Sequence, residues 1–205
     1  MIFPKLNVQF IAIPRCGTGC VFHMLNQVDP HGIPQSEPDH WLYKHGHYRM
    51  VDYLKWTDEK DIFTFTFVRN PYARMLSLFS YHKNLESRKQ VHGFKGNFQE
   101  FCREWKQDSQ YLHDWKTQVD YMKNLQDNLD SMNFIGKLES FDEDWKELKR
   151  IRIDLPDAMP EFRKIHKSNR EKNESYYDEE SQDIVRTVFI EDFKLLGYDP
   201  NEIPE

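Results

Sequence analysis

DIFTFTFVRNPYARMLSLFSYHK, residues Asp61 to Lys83, is where the chain declares its fold. Phe63, Phe65 and Phe67 alternate with Thr64, Thr66 and Val68, the period of two of a strand rich in β-formers. The period changes at Asn70-Pro71. Asn is a strong helix N-cap, and Pro at the first helical position gives up an amide that has no helical partner. Tyr72, Met75, Leu76 and Phe79 then recur at helical spacing and predict the buried side of a helix. Arg69 therefore stands where a strand ends and a helix begins, at a helix N-terminus that favours anions. Ser77 lies two turns further on, on a helix that can turn its hydroxyl toward the same anion.

A second strand–turn–helix precedes this one. Val8–Ile13 reads as a buried strand, Pro14-Arg15-Cys16-Gly17-Thr18-Gly19 as a turn, and Cys20–Leu25 as the first turns of a helix. The amides of such a turn converge on one point, and Arg15 adds a fixed positive charge. It is not a Walker A loop, because no Lys-Ser or Lys-Thr follows the glycines. Between the two junctions, Asp29–Asp39 reads as loop and leads to Tyr43-Lys44-His45-Gly46-His47, whose two histidines are candidates for general-base work.

Downstream, Asn97 is placed to cap a helix carrying Phe98, Phe101 and Trp105, and a second helical pattern runs through Trp115, Val119, Met122 and Leu125. The aromatic and aliphatic residues of both are read as core. Asn133–Glu139 predicts a further strand, and Phe141–Leu148 the helix after it. Arg163–Tyr177 is basic and polar. Glu179–Leu196 reads as one amphipathic helix closed by Gly197.

Strands alternating with helices predict an α/β fold of three layers around a mainly parallel central sheet, over a single domain spanning 1–205. The net charge of −6 argues against a general nucleic-acid binder, whose affinity comes from neutralising phosphates. No apolar run reaches the length of a membrane span. The chain enters a strand almost at once, which leaves no room for a signal peptide. Three cysteines, Cys16, Cys20 and Cys102, suit a reducing compartment better than a disulfide framework, so a cytoplasmic location is expected. Two cysteines four residues apart without a second pair are no zinc motif, and no metal is expected.

Parallel sheets bind ligands at the carboxyl ends of their strands, where both arginine junctions are expected to fall. Two anion sites suggest a ligand with two separated phosphate-like groups. Pro14-Arg15-Cys16-Gly17-Thr18 resembles the 5′-phosphosulfate loop of the sulfotransferases that use 3′-phosphoadenosine 5′-phosphosulfate (PAPS). Phe67-Val68-Arg69-Asn70-Pro71-Tyr72-Ala73-Arg74 through Ser77 resembles their 3′-phosphate motif, FVRxPxxRxxS.

The likeness is closest to the carbohydrate, uronyl 2-O-like, branch. Tyr43–His47 is similar to its YHGH segment, Asn133–Glu139 to its FIGRFE strand, and His166-Lys167-Ser168 with Tyr176-Tyr177 to its NKS…YY segment. His113 and Gln118 fit a recurrent H…Q pair. The matches spread from Phe10 to Tyr198. Three positions depart from the pattern: Arg15 stands where the family usually has Lys, Gly19 replaces a small hydroxyl residue, and His166 replaces Asn.

The resemblance implies a P-loop-like, PAPS-dependent sulfotransferase acting on an acceptor hydroxyl, most readily a sugar's. It implies donor contacts at Arg15, Cys16, Gly17, Thr18, Gly19, Cys20, Arg69, Ser77, Lys167, Ser168 and Arg170. It implies His47 as base, with His45 as the competitor for that role, and Arg15 on the leaving group. Two alternatives stay open: a nucleotide- or glycan-binding module without turnover, and a P-loop kinase.

Overall fold

The computed structural model describes residues 1–30, 47–54, 61–87, 94–107, 116–157 and 173–204. The chain divides into two compact units, one formed by residues 1–68 and 118–168, the other by 69–117 and 169–205.

The first unit holds a four-stranded sheet in the order β1-β2-β3-β4, made of Ile2–Phe3, Val8–Phe10, Phe63–Val68 and Phe134–Lys137. β1 is antiparallel to β2, while β2–β3 and β3–β4 are parallel. The fold is thus mixed α/β with a mainly parallel sheet, as the alternation predicts. The small antiparallel edge strand is an addition. It returns through a single helical turn at Pro4–Leu6 and Asn7, whose φ of 48° is left-handed and suits Asn.

The alternation in β3 sorts its side chains. Phe65 and Phe67 enter a core with Phe10, with Val21, Met24 and Leu25 of α1 (Thr18–Val28), and with Phe141, Trp145 and Leu148 of α6 (Phe141–Ile151). The Phe67 ring lies 4.6 Å from that of Phe141 and 6.0 Å from that of Trp145. A Cβ on Gly136 of β4 would meet the Phe67 ring at 2.5 Å, so the strand beside Phe67 must carry glycine there. Thr64 and Thr66, on the opposite face, are also buried, and their hydroxyls donate to Gln9 Oε1 of β2 and to the carbonyl of Ile11 just beyond it. Two short helices, α2 (Met50–Tyr53) and α5 (Gln118–Met122), pack together in the same unit.

Two predicted lengths are corrected here. Strand order in the Val8–Ile13 run ends at Phe10, because Ile13 N–H turns back onto the Ile11 carbonyl at 3.1 Å. The pattern predicted through Leu125 stops at Met122, where Asn124 turns the chain by accepting from the amides of Gln126 and Asn128. Leu125 is therefore 64% exposed and not core. Trp115 lies outside the described residues.

The second unit is helical. α3 (Pro71–Ser87) starts as predicted, with Tyr72 N–H donating to Asn70 Oδ1 at 2.9 Å. α4 (Phe98–Gln107) opens on a reciprocal box, Glu100 N–H to Asn97 Oδ1 and Asn97 N–H to Glu100 Oε2. The single helix predicted over Glu179–Leu196 is instead two, α7 (Glu179–Val188) and α8 (Ile190–Leu196). Phe189 leaves helical geometry between them and is 1% exposed, so core packing interrupts a run that propensity alone would continue. Gly197 closes α8 in the left-handed region at φ 67°, as expected. The core joins Leu76 and Phe79 to Phe98, Phe101, Tyr177, Ile184, Phe189 and Phe193. The Trp105 side chain lies outside the described ones.

Candidate functional site

In the first unit the site starts where β2 gives way to α1. Chain direction is reversed by two residues in the left-handed region, Arg15 at φ 66° and Gly17 at φ 78°. Glycine suits position 17, since a Cβ there would lie 2.8 Å from Leu138 Cδ1 on top of the strained φ. Arg15 adopts the same conformation without glycine's freedom, at a cost of about 1–2 kcal/mol. Strain of this kind persists where surrounding structure over-determines it and concentrates at functional positions. The Arg15 side chain is partly exposed.

The turn is held from inside. Thr18 Oγ1 donates to the Ile13 carbonyl at 2.8 Å, and Cys16 N–H reaches the same oxygen at 3.3 Å. The Cys16 thiol, fully buried, donates to Gln118 Oε1 at 3.1 Å. Gln118 thereby ties α5 to the turn. The helical ladder of α1 begins with Val21 N–H on the Gly17 carbonyl, so the amides of Thr18, Gly19 and Cys20 precede it at the positive end of an 11-residue helix. The Thr18 hydroxyl proton is thus used to close the turn. Among the described residues no three His, Cys, Asp or Glu side chains cluster as a metal site.

His47 belongs to the same unit. Its Nδ1 donates to the Ala12 carbonyl at 2.7 Å, one residue upstream of the oxygen that receives Thr18. His47 is thereby placed against the segment between β2 and the turn. His45, His113, His166, Lys167, Ser168 and Arg170 lie outside the described residues.

Arg69 and Ser77 are described in the second unit. Arg69, partly exposed, directly precedes the cap Asn70 and Pro71. The first two turns of α3 are buried on every side, Arg74 and Ser77 included, at 0% and 2% exposure. Arg74 spends one guanidinium nitrogen on the Lys116 carbonyl at 3.0 Å and lies 5.8 Å over the Phe189 ring, so it acts inside the helical core. Tyr177 donates to the Tyr72 carbonyl at 2.7 Å. Burial pushes the Tyr177 hydroxyl well above the ordinary tyrosine range, with the Arg69 charge working weakly the other way. Tyr177 therefore stays a neutral donor that braces the start of α3.

Sequence reading missed the roles of Gln118 toward Cys16, of Thr66, and of the Ala12 carbonyl. For Thr66 a signal existed: a hydroxyl on a strand buried on both faces must find an acceptor. Backbone carbonyls leave no such signal.

The turn thus combines two left-handed residues, Arg15 and Gly17, with the N-terminus of α1, and His47 lies against the segment that enters it. A family model described as the sulfotransferase family matches residues 4–199, and the chain belongs to that family. Its chemistry is therefore sulfuryl transfer in general, and the protein is a transferase. Comparison with curated proteins and with solved structures gives no match.

Proposed function

We propose that the protein is a PAPS-dependent sulfotransferase of P-loop-like, three-layer fold, acting as one domain over 1–205 on a carbohydrate hydroxyl. The observation that carries the reading is the Ile13–Thr18 turn: two left-handed residues, one of them Arg15, at the N-terminus of α1. A turn of this kind suits a phosphosulfate, because amides at a helix N-terminus favour an anion and Arg15 adds a positive charge to the same turn. The family match supports sulfuryl transfer, and the FVRNPYARMLS motif supports a donor bearing a 3′-phosphate. Tyr43–His47 and Asn133–Glu139 support the uronyl 2-O-like branch and hence a sugar acceptor. The three cysteines, buried as thiols, support a reducing compartment, the cytoplasm.

PAPS, when bound, supplies the sulfuryl group and a good leaving phosphate. His47 takes the proton of the acceptor hydroxyl as that oxygen bonds to sulfur and the sulfur–phosphate oxygen bond breaks. Arg15, with the amides of Gly17, Thr18, Gly19 and Cys20, stabilises the negative charge that collects on the departing 5′-phosphate. Arg69 and Ser77 hold the 3′-phosphate and set register. Lys167, Ser168 and Arg170 complete the donor contacts, and His45 orients the acceptor. Sulfuryl transfer, like phosphoryl transfer, needs positioning and electrostatic stabilisation more than covalent help.

The test is transfer of labelled sulfate from PAPS to a pool of sugar, lipid-linked and tyrosine-peptide acceptors. His47→Ala is expected to lose about 10²–10⁴-fold in turnover while the affinity for the product nucleotide, 3′-phosphoadenosine 5′-phosphate (PAP), holds. Normal turnover in His47→Ala with loss in His45→Ala would reverse the two histidines' roles. No label in any acceptor, from protein that binds PAP, would favour a binding module.

A further inference from the structure

Beyond Phe10 the chain leaves the sheet, yet its next three carbonyls are each read by a side chain. Ile11 O accepts from Thr66 Oγ1 at 2.6 Å, Ala12 O from His47 Nδ1 at 2.7 Å, and Ile13 O from Thr18 Oγ1 at 2.8 Å. The last sheet contact of this segment is Ile11 N–H to Phe65 O at 2.9 Å. Ile11–Ile13 is therefore a ledge, clamped to β3 at one end and to the α1 turn at the other, with the histidine on its middle residue. Thr66 is fully buried, so its hydroxyl contacts protein alone.

A carbonyl can only accept, so the His47 ring nitrogen facing Ala12 must carry the hydrogen. In the neutral ring the lone pair is then on Nε2. We propose that the Ala12 carbonyl fixes His47 as the Nδ1–H tautomer, that Nε2 is the nitrogen receiving the acceptor's proton, and that Thr66, bonded to the neighbouring Ile11 carbonyl, is the positioning residue that holds the Ile11–Ile13 ledge in place. The proposal rests on His47 being the base. Proton balance is simple: the hydroxyl proton moves to Nε2, and the imidazolium so formed keeps its Nδ1–H bond to Ala12 O. That bond becomes charge-assisted and stronger as the proton arrives, which favours the transition state over the ground state. A mobile ring would instead divide its time between tautomers, one of which offers N–H where a base is needed.

The experiment is nitrogen-15 NMR of the full chain labelled in histidine, with the His47 signals identified by their loss in His47→Gln. The wild type is expected to show a protonated Nδ1 and an unprotonated Nε2 in the neutral ring. Thr66→Val keeps the shape and removes the hydroxyl. It should show a mixture of tautomers and lose about 10- to 100-fold in kcat, the scale of a small misplacement of a catalytic group, with the KM for donor little changed. Thr66→Ser should restore both readouts. A wild-type ring protonated on Nε2 would overturn the proposal, as would Thr66→Val with unchanged tautomer and kcat. Should the valine variant not fold, Thr66→Ala is read in the same way. A wild-type Nδ1–H ring in protein that transfers no sulfuryl group supports the tautomer assignment and counts against the function proposed above.

Discussion

Arg15 carries two opposed effects in one residue. In the function proposed above its charge serves the bound anion, while its φ of 66° is a cost to the fold. The two separate by substitution. Arg15→Gly and Arg15→Ala both remove the charge, but only glycine accepts the left-handed backbone without penalty. Urea denaturation should therefore find the glycine variant more stable than the alanine variant by roughly 1 kcal/mol, against glycine's usual disadvantage. Both should lose about two orders of magnitude or more in turnover, the scale of removing one preorganised donor. Arg15→Lys should retain much of the activity, since it keeps the positive charge. Equal stability of the glycine and alanine variants would mean that the backbone at residue 15 is not strained, and full activity of either would show the charge to be irrelevant.

At the scale of elements, the helix ends are the most legible features of the sequence. Asn70 before Pro71, Asn97 and Gly197 each act at the position expected, because a cap is decided by a few neighbouring atoms. The break at Phe189 was not legible: no Gly or Pro marks it, and only the tertiary core that takes the ring in explains it. α7 offers a test with a definite pH sign. Asp178 caps it by accepting from Ser181 N–H at 2.8 Å while Asp178 N–H donates to Ser181 Oγ at 3.0 Å. Hydrogen bonds from Ser181, the hydroxyl's first, hold the Asp178 carboxylate below its usual range. A carboxylate lowered by folding adds stability that is present above the unfolded value, about pH 4, and is lost as pH falls through the folded one. Asp178→Ala should then cost roughly 0.5–2 kcal/mol at neutral pH, with the gap to wild type narrowing below about pH 4. A gap that stays constant down to pH 2 would show that the charged cap is not what stabilises α7.

At the scale of the whole molecule, the alternation of strands and helices made the α/β class readable, and the motif run Phe67–Ser77 made the family readable. The division into two compact units was not. Its first boundary falls between Val68 and Arg69, inside that same run, where no Pro-, Gly- or Ser-rich linker exists to announce it. Likewise the tautomer-setting carbonyl of Ala12 is invisible in a sequence, since every residue has one. The net charge of −6 adds a further constraint: any polyanion-like ligand must be held by local groups and not by the general field of the protein. The proposed recognition of a donor's 3′-phosphate by Arg69 is open to calorimetric titration of the full chain with PAP and with AMP, which lacks that phosphate. PAP is expected to bind more tightly by about 1.5–3 kcal/mol, roughly 10- to 150-fold, and Arg69→Ala to erase the difference. Equal affinity of the wild type for PAP and AMP would contradict it.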